Sequence, residues 1–140
     1  MKEIKKILVP LDGSKNSLRG LERAIYLALS CQARITGVMV VGNLPVTGLH
    51  NVAAWRKNWV KQAKQELIKA KKRAARDGID LREKICYGNP GTEIVSLAQK
   101  GKFDLIVIGA RGMGGIKETF LGSTSQYVAH KAKAPVVIVK

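Results

Sequence analysis

The chain has 140 residues, 46% of them hydrophobic and only 5% aromatic, so a Val/Ile/Leu/Ala core can form without a disulfide or metal staple. No apolar run approaches the ~20 residues of a bilayer-spanning helix, and two cysteines exclude a disulfide scaffold. Lys+Arg number 25 against 10 Asp+Glu, a net charge of +15 that favours anionic partners (nucleotides, nucleic acids or anionic lipid) without choosing among them.

The opening "MKEIKKILVPLDGS" is basic, but its apolar part, "ILVPL", is too short for a signal peptide. It predicts the first strand, "IKKILVPL", turning at Pro10. A helix follows, capped by Ser14 or Ser17, with Leu18, Leu21, Ile25, Ala28 and Leu29 at helical spacing on one face. "ARITGVMVV" predicts the second strand and "GNLPVTGLHN" a loop. From about Val52 to Arg76 the pattern is a long helix, with Trp55, Trp59, Ala63, Leu67 and Ala74 sharing a side. Lys57, Lys61, Lys64, Lys71, Lys72 and Arg76 lie mostly elsewhere, and Gly78 is suited to a left-handed stop. "IDLREKICY" predicts strand three. "NPGTEIVSLAQKG" is a helix capped by Asn89 or Thr92, and "FDLIVIG" is a strand buried on both faces. A last helix over about Leu121 to Lys131 precedes strand five, "APVVIVK". Strands alternating with helices of this length define one doubly wound α/β domain over residues 1–140, with a mainly parallel sheet.

In such a sheet ligands sit outside the carboxyl ends of the strands, where the strand order reverses. Two such ends stand out: Pro10-Leu11-Asp12 after strand one and the glycine-rich "GARGMGGIKETFLGSTS" after strand four. The latter fails the Walker pattern, because Gly115-Ile116 stands where Gly-Lys-Ser/Thr belongs. It also fails G-x-G-x-x-G, because Lys117 follows where a third glycine is needed. What remains is Gly109-x-x-Gly112, nine residues, then Gly122-Ser123. Gly109 and Gly112 suit a close backbone approach to a ligand or a positive φ. Gly122, Ser123, Thr124 and Ser125 stand where a helix begins, with N–H groups and hydroxyls for an anion. Arg111 and Lys117 add positive charge at the same edge. A flexible loop with a serine cap is the competing reading.

These features resemble the universal stress protein family, in its ATP-binding branch. The family pattern of Gly, two residues, Gly, nine residues, Gly-Ser/Thr is met by Gly109, Gly112, Gly122 and Ser123. "KKILVPLDGS", "YGNPGTEIVSLA", "DLIVIGARG" and "LGSTSQYVAHKAKAPVVIVK" extend the resemblance over nearly the whole chain. The resemblance implies strand order 3-2-1-4-5 and a homodimer paired through the fifth strand. It implies an adenine nucleotide, ATP or AMP, with Mg or Mn on the phosphates. Pro10, Leu11 and Asp12 would line its adenine and ribose end, and Val40 would lie against the base. Gly109, Arg111 and Gly112 would wrap ribose and phosphates, and Gly122, Ser123, Thr124 and Ser125 would hold the phosphate tail. Met39 departs from the family, where many relatives have His before the Val.

Asp12 has no second carboxylate at the site, so ligand contact or turn structure is expected of it rather than catalysis. Any ATP hydrolysis should be slow, since no general base, Walker lysine or arginine finger is evident. His50 and His130 lack neighbours of ligand type. Cys31 and Cys86 are expected as reduced, buried thiols of a cytoplasmic protein. Trp55 and Trp59 could stack on bases, though packing on the sheet or at a dimer seam is the plainer expectation. The lysine-rich side of the long helix is either a solvated face or a phosphate-backbone contact, so a nucleic-acid-associated protein is the alternative function. A nucleotide-free regulator acting through dimer contacts is a third.

Overall fold

The computed structural model describes residues 2–42, 52–112 and 121–140. Its elements alternate strictly: β1 (Lys6–Pro10), α1 (Lys15–Cys31), β2 (Arg34–Val41), α2 (Val52–Ala75), β3 (Arg82–Tyr87), α3 (Pro90–Lys100), β4 (Leu105–Gly109), α4 (Ser123–Lys131) and β5 (Val136–Val139). The five strands form one sheet in the order β3-β2-β1-β4-β5, and every pairing is parallel. The loop expected at residues 42–51 lies, from residue 43 onward, outside the described residues, as do Gly114, Gly115 and Lys117.

The sheet separates two apolar layers, because successive strand residues point to opposite faces. Ile7, Val9, Ile35, Met39, Val41 and Val107 pack with α1 and α2. Leu8, Val38, Ile106 and Ile108 pack with α3 and α4. All five residues of β4 are buried, as its unbroken apolar run requires. Met39 and Val40 therefore face opposite ways: Met39 is core beneath the helices α1 and α2, while Val40 belongs to the other layer.

The helix signals resolve as follows. Ser14 caps α1, accepting from the Ser17 N–H at 3.1 Å. Asn89 caps α3, accepting from the Thr92 N–H at 3.2 Å. Gly78 has φ +78 just beyond α2, as expected. The face expected for α1 requires correction. Leu18 is 46% and Leu29 51% exposed, whereas Ser17, Gly20, Leu21, Ala24, Ile25 and Ala28 are buried. Small residues occupy the centre of that face because α1 lies almost against β4. A Cβ on Gly20 would stand 3.3 Å from the Gly109 nitrogen.

Two charged groups fasten the frame away from the cleft. Asp104, its side chain only 7% exposed, pairs with Lys2 at 2.9 Å and accepts from the Lys5 and Lys6 N–H groups at 2.9 and 3.0 Å. The Lys2 pairing and these backbone bonds hold its pKa below the ordinary carboxylate value. Arg73 links α2 to α1 by a two-pronged contact with Glu22, both N···O distances being 2.5 Å, and also reaches Asp77 at 3.1 Å. Bonds to Glu22 and then Asp77 raise its pKa.

Candidate functional site

The order reverses between β1 and β4, whose register covers only Ile7↔Leu105 and Leu8↔Ile106. Pro10 ends β1 and has no N–H to continue a ladder. Following β1 the chain enters α1 on one face, and following β4 it enters α4 on the other. A cleft of about 370 Å³ lies at this point, within the range of small-molecule sites.

The cleft brings together every expected site residue: Pro10, Leu11 and Asp12 from β1 and its turn, Val40 from β2, and Gly109, Arg111 and Gly112 from the end of β4. Gly122, Ser123, Thr124 and Ser125 complete it from the start of α4. Sequence reasoning missed Ser17, Val38, Pro90, Ile94 and Ile108, which also line it. Val38 could have been found, since it stands two residues from Val40 on the same face of β2. Ile94 and Pro90 come from α3 and carry no local mark.

The glycines have different reasons. A Cβ on Gly109 would stand 2.7 Å from the Asn16 carbonyl carbon and oxygen and 2.9 Å from the Ser17 nitrogen. Its bareness therefore lets α1 approach β4, and of the two expectations for Gly109 the positive φ is corrected. A Cβ on Gly112 would collide with Asp12 Oδ2. Gly122 is under no such pressure: its φ is −67, and a Cβ would meet only ordinary contacts from 3.4 Å outward.

Asp12 is both turn former and cleft wall. Its Oδ1 accepts from the Ser14 N–H at 2.8 Å, which fixes the chain just ahead of α1. Ser17 lies behind it, donating its hydroxyl to the Ser14 carbonyl at 3.0 Å. At α4 the N-cap is Gly122, so no side chain caps the helix, and its first turn holds no acidic residue. The leading N–H groups of Ser123, Thr124 and Ser125 have no acceptor within the helix and stand at the cleft. The Ser125 side chain does not join them. Buried at 2% exposure, its hydroxyl bonds to the Ala110 carbonyl at 2.7 Å, so only its backbone can serve an anion. The Gly122 N–H donates to the same carbonyl at 2.7 Å, fastening α4 to the end of β4.

The remaining candidates are structural. Trp55 and Trp59 meet edge to face, centroids 4.6 Å apart, and Trp59 packs against the core. Both cysteines are free and half-buried, and burial raises the pKa of Cys86. His130 lies exposed in the last turn of α4. Among the described residues no group of three His, Cys, Asp or Glu could hold a metal ion, and no helix is long and apolar enough to cross a membrane.

A doubly wound parallel sheet with a cleft at its switch point and an uncapped helix end facing that cleft defines a small-molecule-binding α/β domain with provision for an anion. Comparison with known proteins makes this specific. The Universal stress protein family profile matches residues 3–140, and the chain belongs to that family. It is 36% identical over 139 residues to universal stress protein MJ0531 of Methanocaldococcus jannaschii, covering 97% of this chain and 82% of that one. The solved universal stress protein UspA from Lactobacillus plantarum superposes with a TM-score of 0.90 at 26% identity, covering all of both chains. A universal stress protein solved in complex with cAMP matches with a TM-score of 0.72 at 28% identity, over 99% of this chain and 98% of that one.

Proposed function

We propose that the cleft binds an adenine nucleotide, ATP foremost, and that the chain acts as a dimeric stress-response sensor or regulator whose partner choice depends on that nucleotide. The observation that carries this reading is the uncapped, acid-free amino end of α4 at the cleft. Three N–H groups and the positive dipole end are a ready anion site, and Arg111 adds charge beside them. The apolar part of the lining, Val38, Val40, Ile94, Ile108 and Pro90, suits a base. Asp12, which also lines the cleft, would take ribose hydroxyls. The cAMP held by a solved family member has the same three parts: base, ribose and phosphate.

A Mg or Mn ion would be held chiefly by the phosphates, whose charge it would offset. The site's own residues bind and orient; none is placed as a general base, and a binding module is the reading rather than an enzyme. β5 supports dimerisation, because it is an edge strand of four half-buried apolar residues paired on one side only, with β4. The test is to denature freshly purified protein and identify the small molecule released by absorbance and mass. An adenine nucleotide near one per chain is expected. No purine, together with no binding of added ATP, AMP or cAMP, would overturn the reading.

A further inference from the structure

The charge of this chain is not evenly spread. The α2 segment "VAAWRKNWVKQAKQELIKAKKRAA" holds eight Lys/Arg against a single Glu. Its buried side, Ala63, Leu67, Ala70 and Ala74, is committed to the sheet. Lys57, Lys61, Lys64, Ile68 and Lys71 follow at offsets of four and three, which places them on one outward side, with Lys72 beside them. All five of these lysines are exposed, and none makes an ion pair among the described residues. The two basic residues of α2 that do pair, Lys69 and Arg73, take Glu66, Glu22 and Asp77. The neighbouring segment with Asp80, Arg82, Glu83 and Lys84 is neutral in sum, so the positive excess of this part of the chain belongs to the helix.

We infer that this outward side of α2 is a docking surface for the phosphate backbone of a nucleic acid duplex. Lys57 to Lys72 spans about 22 Å at about 1.5 Å per residue, in axial steps of about 4.5 and 6 Å. A duplex presents one phosphate per ~3.4 Å of axis on each strand, and each strand winds once in about 34 Å, so a straight helix of this length meets the few phosphates that face it. Five unpaired lysines spread along a rigid rod supply enough charge to engage those phosphates. A lipid surface fits less well, because a membrane takes an amphipathic helix by its apolar side, and here that side is already buried. Such contacts position without reading sequence, so binding is independent of base order. The surface shares no residue with the nucleotide cleft, and the two assignments stand or fall separately.

The test measures binding of a short labelled DNA duplex, the matching RNA duplex and phosphatidylserine vesicles across a salt series. Two triple variants of equal charge are compared: Lys61→Gln/Lys64→Gln/Lys71→Gln on α2, and Lys100→Gln/Lys102→Gln/Lys133→Gln elsewhere. The α2 triple is expected to lose at least ten-fold in duplex affinity. It should also flatten the slope of log K against log salt by about 2.7, at about 0.9 for each phosphate no longer neutralised. The other triple should change the slope by less than about 1, and Gly122→Val should leave duplex binding intact. Equal losses in both triples, no duplex binding at low salt, or tighter binding to vesicles through the same lysines would each overturn the assignment.

Discussion

Gly109→Ala and Gly122→Ala separate a glycine required by packing from one that packing does not require. At position 109 the new Cβ would stand 2.7 to 2.9 Å from Asn16 and Ser17, and all three atoms it meets are backbone. No rotamer change relieves that clash, so α1 must move off β4 and loosen the layer where Gly20 meets Gly109. Overpacking of this kind costs about 1–3 kcal/mol, and a reduction in unfolded-chain entropy of about 0.4–1 kcal/mol offsets part of it. For a chain of this length, each kcal/mol corresponds to about 3–4 °C in Tm. At the middle of both ranges the net loss is about 1.3 kcal/mol, so Gly109→Ala should lower Tm by about 4–5 °C and by no more than about 10 °C. At position 122 φ is −67 and the new Cβ meets ordinary contacts of 3.4 Å and beyond. The loss from replacing Gly by Ala at an N-cap and the entropy gain nearly cancel, leaving Tm within about 3 °C. Urea titration followed by Trp55 and Trp59 fluorescence, with thermal melts by circular dichroism, measures both. Equal stability of Gly109→Ala and the parent, or a larger loss at Gly122, would refute this account of the two glycines.

Further expectations concern single side chains. Ser125→Ala removes the buried bond to Ala110 and should cost about 0.5–1.5 kcal/mol in urea titration, with nucleotide affinity little changed. Ser123→Ala should do the reverse, weakening nucleotide binding at unaltered stability. The pKa of Asp104 is lowered on folding, so the unfolded chain binds more protons as pH falls through the carboxylate range. Its stabilisation is complete above the unfolded value of about 3.9 and is lost below the folded one. The Tm gap between the parent and Asp104→Asn should thus shrink as pH falls through that window; a constant gap would contradict the assignment. Burial raises the Cys86 thiol, so in a Cys31→Ala background iodoacetamide at neutral pH should alkylate it more slowly than free cysteine.

Much of this molecule is legible in its sequence, because the strands and helices differ in the period of their apolar residues. The "LIVIG" run could only be a central strand, and all of it is buried. Counting large apolar residues and ignoring small ones misplaces the face of α1. Leu18 and Leu29 lie outward, while Ser17, Gly20, Ala24 and Ala28 are buried, with Ser17 and Gly20 at the close approach to β4. That run of small residues at offsets of three and four is itself the missed signal. At the cleft, the residues on β1, β4 and the start of α4 can be placed by motif spacing. Ile94 and Pro90 cannot, since they reach it only through the packing of α3 on the sheet. The motif also does not distinguish Gly109, bare because α1 presses on it, from Gly122, bare at an open helix end.

Calorimetric titration of ATP into nucleotide-stripped protein, with Gly122→Val in parallel, tests the central claim most directly. The account predicts saturable heat near one nucleotide per chain for the parent, and none for a Gly122→Val protein that melts within a few degrees of it. No heat from the parent with ATP, AMP or cAMP, or undiminished binding by Gly122→Val, would contradict it.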